Sequence, residues 1–400
     1  MRQAKSVDSA SRNTAESKAG ISISAETCRR ALPRANAPQT SSHGARSRKA
    51  GRKLWRNGGP DKIGTVYAIE LDAPSPLSEH PLNWREIATP EPGPGQLLIK
   101  IAACGVCRSN LHMIEGDWID GGVPAISPII PGHEATGTVA ALGAGVTTFQ
   151  IGDRVGVQPL WWTCEECEFC LSGREELCHE RKITGEHVNG AYAEFMLSYA
   201  AHSYHVPESI DLVDAAPLFC PGITAFSAVS KLDLGPGKRV GVFGIGGVGH
   251  MALQFAVLTG ADVIAVGRSA GHLEVAKELG ATEVVDSTKV DPGEYLEDSL
   301  DAVLTFAPSD VVNAGALRAL KWGGTLVAGV PLTFEGFPFN KSQTVIGTIL
   351  GNRAQMNEVL RLAADGKIRT VVDRFPMADA ADVLQKLTSG ELRSRAVLEN

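Results

Sequence analysis

Arg239-Val240-Gly241-Val242-Phe243, followed at once by Gly244-Ile245-Gly246-Gly247-Val248-Gly249, decides the fold of this 400-residue chain. The first stretch reads as a strand and the apolar run Val248–Leu258 as a helix, so the glycines sit at a strand-to-helix turn. The first glycine makes the tight turn, the second lets a pyrophosphate approach the backbone, and the third lets helix and strand pack closely. Further out, Asp262–Val266, Glu283–Val285, Asp301–Phe306 and Thr325–Ala328 read as strands, and His272–Leu279 and Val311–Leu320 as helices. Repeated βαβ units give a parallel sheet with helices on both faces, a doubly wound Rossmann domain. The other reading, a glycine-rich turn in a sheet that binds nothing, does not need this strand–turn–helix context.

From Thr65 to about Val206 the texture differs. Short apolar runs (Thr65–Ile69, Leu97–Ala102, Ala135–Ala140, Arg154–Val157) are broken by Gly and Pro, which predicts a β-rich domain. After Gly351 come two helical stretches, Gln355–Ala364 and Ala378–Leu387, and a short strand, Ala396–Leu398. The whole is therefore expected to be α/β. No stretch approaches the ~20 apolar residues of a membrane span, so a soluble protein without a membrane partner is expected.

The net charge of -7 is unevenly spread. Residues 1–60 hold 13 Lys and Arg against 3 Asp and Glu, and the remainder 25 against 42. The acidic body argues against a nucleic-acid partner, which needs a basic face. The Ser- and Arg-rich segment 1–60 shows no apolar periodicity and reads as a disordered basic extension. An over-called start near Val66, an organellar targeting segment and a nucleic-acid tail remain open for it.

Four of the eight cysteines, Cys164, Cys167, Cys170 and Cys178, fall in C-x2-C-x2-C-x7-C. Four thiolates satisfy a tetrahedral zinc and leave no open position, so this is read as a structural zinc site, with an iron–sulfur centre as the alternative. Cys104, Cys107, His133 and Cys220 are dispersed. Two Cys and one His would suit a catalytic zinc, which keeps a fourth position open. Cys104-x-x-Cys107 also admits a redox pair.

In one order, the chain carries Cys107-Arg108-Ser109-Asn110-Leu111-His112 with Glu115-Gly116-Asp117-Trp118, then Gly132-His133-Glu134-x-x-Gly137. The four-cysteine lobe, Cys220-Pro221-Gly222-Ile223-Thr224 and the Gly244–Gly249 turn follow. Together these resemble the zinc-dependent alcohol dehydrogenases of the medium-chain dehydrogenase/reductase superfamily, within it the bacterial propanol-preferring type. The resemblance runs from about Thr65 to Asn400. It implies a GroES-like β-rich catalytic domain over 61–212 and 347–400, around a Rossmann domain over 213–346. It implies two zincs per chain, Cys107, His133 and Cys220 holding the catalytic one with Cys104 a bystander. Ser109 would hydrogen-bond the alcohol, His112 would pass its proton outward, and Glu134 would stand beside the zinc away from the substrate. Arg108, the turn residues Gly244, Gly246, Gly247, Val248 and Gly249, and Arg395 would contact the cofactor. Trp118, Trp161 and Trp162 would wall a pocket for a small alcohol or aldehyde, or simply pack in the core. The implied enzyme is a cytoplasmic homodimer or homotetramer that oxidises a small primary alcohol reversibly. A zinc-free quinone or enoyl reductase, a non-catalytic zinc protein and a cofactor-binding protein without turnover are the alternatives.

Two positions depart from that pattern. Asn110 stands where the family usually has Asp beside the zinc histidine, and Glu186 where it usually has Tyr near the cofactor cleft. The end of the second Rossmann strand bears on cofactor choice. An NAD-binding unit has an acid there for the ribose 2′-hydroxyl, but no acid lies between Val263 and Leu273. Gly267 leaves room for a 2′-phosphate, which Arg268 and Ser269 can bind, so NADP(H) is expected in preference to NAD(H). The alternative is an Arg268 that only faces solvent.

Overall fold

The computed structural model describes residues 64–334 and 336–400. The reading of residues 1–60 as a disordered extension lies outside the described residues.

Six parallel strands run in the order Glu283–Asp286, Asp262–Gly267, Arg239–Phe243, Leu300–Thr305, Leu320–Ala328 and Thr344–Gly347. The strand order reverses beside Arg239–Phe243, the strand that feeds the glycine-rich turn, and such a switch point is where open α/β sheets bind ligands. Successive side chains leave a strand on opposite faces. Val240, Val242, Val263, Ala265, Ala302 and Leu304 accordingly enter one core, while Phe243, Ile264, Val266 and Val303 enter the other. The strand Thr344–Gly347 is missing from the pattern read above. It lies at the sheet edge with Thr344, Val345 and Gly347 exposed, so it carries no run of buried apolar residues.

The second sheet runs Val372–Pro376, Arg395–Glu399, Gln96–Gly105, Ala135–Leu142, Arg154–Val157 and Ser203–His205, with Phe195–Tyr199 also paired to Gln96–Gly105. The last strand of the chain lies antiparallel to Gln96–Gly105, with Val397 opposite Gly105 and Leu398 opposite Cys104. The helix expected from Gln355 starts at Arg353, because Asn352 and Gln355 cap each other reciprocally. Its Met356, Val359 and Leu360 are buried in the same core as Val240.

Among the described residues no single helix is long and apolar enough to cross a membrane. The bent pair Leu212–Phe219 and Pro221–Val229 passes by length and composition only, and every residue of Pro221–Val229 is buried.

His250, in the helix Gly249–Leu258, is fully buried beneath the glycine-rich turn. One ring nitrogen lies 3.2 Å from the Gly246 carbonyl and the other accepts from the Val371 N–H at 3.4 Å, a pairing that suits the neutral ring. Burial lowers its pKa to about 4 from 6.5. The unfolded chain therefore takes up a proton at His250 that the fold refuses. The stability this provides is complete above pH 6.5 and is lost as the pH falls toward 4, by up to about 3 kcal/mol. The melting temperature should drop across that window by calorimetry, and less steeply in His250→Gln.

Candidate metal and dinucleotide site

Cys107 and Cys220 are both N-cap residues, of the helices Arg108–Glu115 and Pro221–Val229. Helix N-termini favour negative charge, but the hydrogen bond with Cys107 and burial push the Cys220 thiol well above its ordinary pKa. The two sulfurs are 3.8 Å apart. One ligand atom each from Cys107, His133, Glu134 and Cys220 lies within 4.8 Å of all the others. Hydrogen bonding from Cys220 holds the Cys107 thiol well below its ordinary pKa despite burial. Burial opposes protonation of His133, but the neighbouring Cys107 and Glu186 raise it to about 10. The donor set fits a tetrahedral zinc, since two sulfurs each about 2.3 Å from such an ion stand about 3.8 Å apart.

Ser109 Oγ lies 3.4 Å from His133 Nε2, at the edge of this cluster. His112 follows one turn later on the same helix, over a third exposed, with Nδ1 2.6 Å from Asp117 and its ring against Trp118. Asp117 as partner of His112 escaped the sequence reading. It lies beyond the helix, past the left-handed Gly116 that ends it, so helical spacing does not reveal the contact.

Glu134 is fully buried and both of its oxygens are taken by Arg395, one by Nε at 3.2 Å and the other by Nη2. Burial pushes the Glu134 carboxyl up while Arg395 opposes it, and the guanidinium keeps its charge. Nη1 of the same guanidinium lies against Gly247, where a Cβ would come within 2.5 Å of it. Arg395 thus spans from the metal cluster to the glycine-rich turn. Gly244 there takes φ +90°, and a Cβ on Gly249 would meet the Gly244 carbonyl at 1.9 Å, so side chains are excluded from both. Gly246 faces open space, as close approach of a phosphate requires, and Val248 caps the helix that follows.

Gly267 ends its strand, and Arg268 is exposed with no ion pair or hydrogen bond among the described residues. The Ser269 hydroxyl accepts from His272 N–H as a helix cap, which leaves its own proton to donate. Arg108 reaches the Leu387 carbonyl at 3.5 Å. Trp161, half-buried, donates to the Leu197 carbonyl and packs on Tyr199, and Trp162 sits in the short strand Leu160–Trp162.

Cys104 is fully buried outside the cluster, and burial pushes its thiol up. Both it and Cys107 are free. Cys164, Cys167, Cys170 and Cys178 also gather within 4.8 Å, with sulfur separations of 3.9 Å from Cys164 to Cys170 and 3.6 Å from Cys178 to Cys164. These spacings suit one tetrahedral ion. Backbone N–H groups led by that of Cys170 lower the Cys167 thiol to about 7, while burial raises Cys170 to about 12. Arg353, which no sequence motif flagged, fastens the lobe through Glu175 at 3.1 Å and Glu165 at 3.0 Å.

Residues 93–208 match the family described as alcohol dehydrogenase GroES-like domain, and residues 247–365 match zinc-binding dehydrogenase. An alcohol dehydrogenase of Moraxella sp. (strain TAE123) is 38% identical over 328 residues, covering 80% of this chain and 96% of the relative. A cobalt- and zinc-bound thermostable alcohol dehydrogenase from Pyrobaculum aerophilum superposes with a TM-score of 0.77 at 28% identity, covering 84% of this chain and 100% of that one. Acetophenone reductase from Geotrichum candidum in complex with NAD does so at 0.77 and 28%, covering 86% and 99%.

Glu134→Gln would leave the buried Arg395 charge without its counter-charge. Such a loss should cost about 3–5 kcal/mol, read as a lower denaturation midpoint than that of the parent.

Proposed function

Because the chain belongs to the zinc-dependent alcohol dehydrogenases of the medium-chain dehydrogenase/reductase superfamily, we propose that Cys107, His133 and Cys220 hold its catalytic zinc and that Cys164, Cys167, Cys170 and Cys178 hold a structural one. The enzyme is an oxidoreductase that uses a nicotinamide cofactor. The observation that carries the assignment is the convergence of two N-cap thiols and an imidazole from three separate segments, at a spacing one ion fits. Zinc bound there supplies a Lewis acid that makes an alcohol hydroxyl acidic near neutral pH.

The residues of the chain divide the remaining work. Ser109, hydrogen-bonded at the edge of the cluster, receives the hydroxyl proton of the alcohol. His112, held by Asp117 and open to solvent, carries that proton out. Trp118 beside it borders the space for a small primary alcohol or its aldehyde. The turn from Gly244 to Gly249 and the helix end behind it bind the pyrophosphate, with Arg108 and Arg395 adjoining, while Glu134 holds Arg395 in place. A nicotinamide cofactor held by that turn would supply the redox chemistry, its ring accepting the hydride of the alcohol carbon. In this reading residues 61–212 with 347–400 form the catalytic body and 213–346 the nucleotide-binding one.

The preferred cofactor is NADP(H). Support comes from the unpaired Arg268, the absence of a side chain at Gly267 and the free proton of Ser269, all at the end of the second strand.

Two outcomes follow. Metal analysis of the purified chain should give two zincs. Dialysis against a chelator should remove the one with an open position and abolish turnover before the fold is lost. The ratio of kcat/KM for NADP(H) over NAD(H) should exceed one. Gly267→Asp combined with Arg268→Ala should reverse it, each charge-assisted bond accounting for about 10- to 100-fold.

A further inference from the structure

His133 presents Nε2 to the metal cluster, with Ser109 Oγ 3.4 Å away. Its other nitrogen, Nδ1, is buried and has no hydrogen-bond partner. Asn110 is also fully buried, with both amide atoms unpartnered. It carries no charge and cannot act as an anionic acceptor. A histidine that ligates through one nitrogen needs an acceptor on the other, which fixes the tautomer and ring angle and raises ligand basicity. Glu186 offers one: its Oε1 lies 3.7 Å from His133 Nδ1, and the side chain is only 12% exposed.

The backbone holds Glu186 in that position. It sits in the turn between Thr184 and Val188, where Gly185 N–H donates to Val188 and Glu186 N–H to Ile183. The turn is bound to the segment that carries His133. Gly190 N–H donates to Ile130, Ala191 N–H to Gly132, and the Asn189 side chain accepts from Ile130 N–H. Contact is so close that a Cβ on Gly190 would fall 2.1 Å from the Gly132 oxygen, and one on Gly185 2.8 Å from the Gly132 nitrogen. Glu186 and His133 are therefore set against each other by main chain, not by flexible side chains alone.

We infer that Glu186 is a positioning residue, the carboxylate that orients His133 as a metal ligand in this chain, where Asn110 provides none. This rests on the reading of His133 as a zinc ligand. It also gives Glu186, one of two departures from the pattern the sequence resembles, a physical role.

The test uses the full chain in its parent, Glu186→Gln, Glu186→Asp and His133→Ala forms. Zinc affinity is read by competition with a chromophoric chelator, and ligand geometry by the visible bands of the cobalt-substituted protein. Glu186→Gln should weaken the more labile zinc by about 10- to 100-fold and shift the cobalt bands. Glu186→Asp should recover part of both. Melting of the protein stripped of that metal should be the same in parent and Glu186→Gln, which separates orientation from folding. If Glu186→Gln keeps parental zinc affinity and cobalt bands while His133→Ala loses the metal, the proposal is overturned and the metal site stands. If His133→Ala also keeps the metal, the metal-site reading fails and takes the proposal with it.

Discussion

The ion pair between Glu134 and Arg395 holds the two halves of the site in register. Arg395 opens the last strand of the chain, which lies between Val372–Pro376 and Gln96–Gly105 in the second sheet. Glu134 follows His133 directly, so the pair ties that strand to the segment that carries His133. The same guanidinium lies against Gly247 in the other domain. Two charges taken out of water are costly, and the cost is offset only when each is well partnered. Here the pairing uses both carboxylate oxygens. This contact links the glycine-rich turn to the cluster of Cys107, His133 and Cys220.

A similar economy appears in the cysteine lobe. With its short helix Glu168–Leu171 it has little core of its own, and three of its four cysteines are only half-buried. Its attachment comes from Arg353 and Asn352, at the start of a helix almost two hundred residues later: Arg353 binds Glu175 and Glu165, and Asn352 donates to the Gly173 carbonyl. In the proposed reading a metal would close the loop on itself, while these bonds decide where the loop sits. That division suits a structural role, in which an ion replaces a hydrophobic core too small to form.

For an alcohol dehydrogenase, the helix ends matter as much as the ligands. Cys107 and Cys220 both precede helices, and the pyrophosphate turn precedes a third. Each N-terminus leaves N–H groups without intrahelical partners and a partial positive charge. That charge favours negative groups at such ends, although the hydrogen bond with Cys107 and burial still push the Cys220 thiol up. On the proposed reading the proton leaves along Arg108–Glu115, from Ser109 at the edge of the cluster to His112, over a third exposed.

Much of this could be read from residue order alone. Glycines 244, 246 and 249 between a strand and a helix specify a nucleotide-binding turn, because each has its own role there. Four cysteines within fifteen positions specify a closed ion site, because so short a loop must bring them together. Local chemistry determines local structure in both. Partnerships across the fold could not be read this way. Arg395 with Glu134, Arg353 with Glu175, and Glu186 with His133 join residues separated by anything from about fifty to over two hundred and fifty positions. No periodicity or spacing encodes such a pair. Trp161, an equal candidate for pocket or core by composition, ends half-buried, its N–H donated to the Leu197 carbonyl and its ring against Tyr199. The sequence alone determined which groups were available and the motifs they form. Tertiary structure decided which of them face one another, since buried charges and hydrogen-bonding groups find their partners only when separate segments pack.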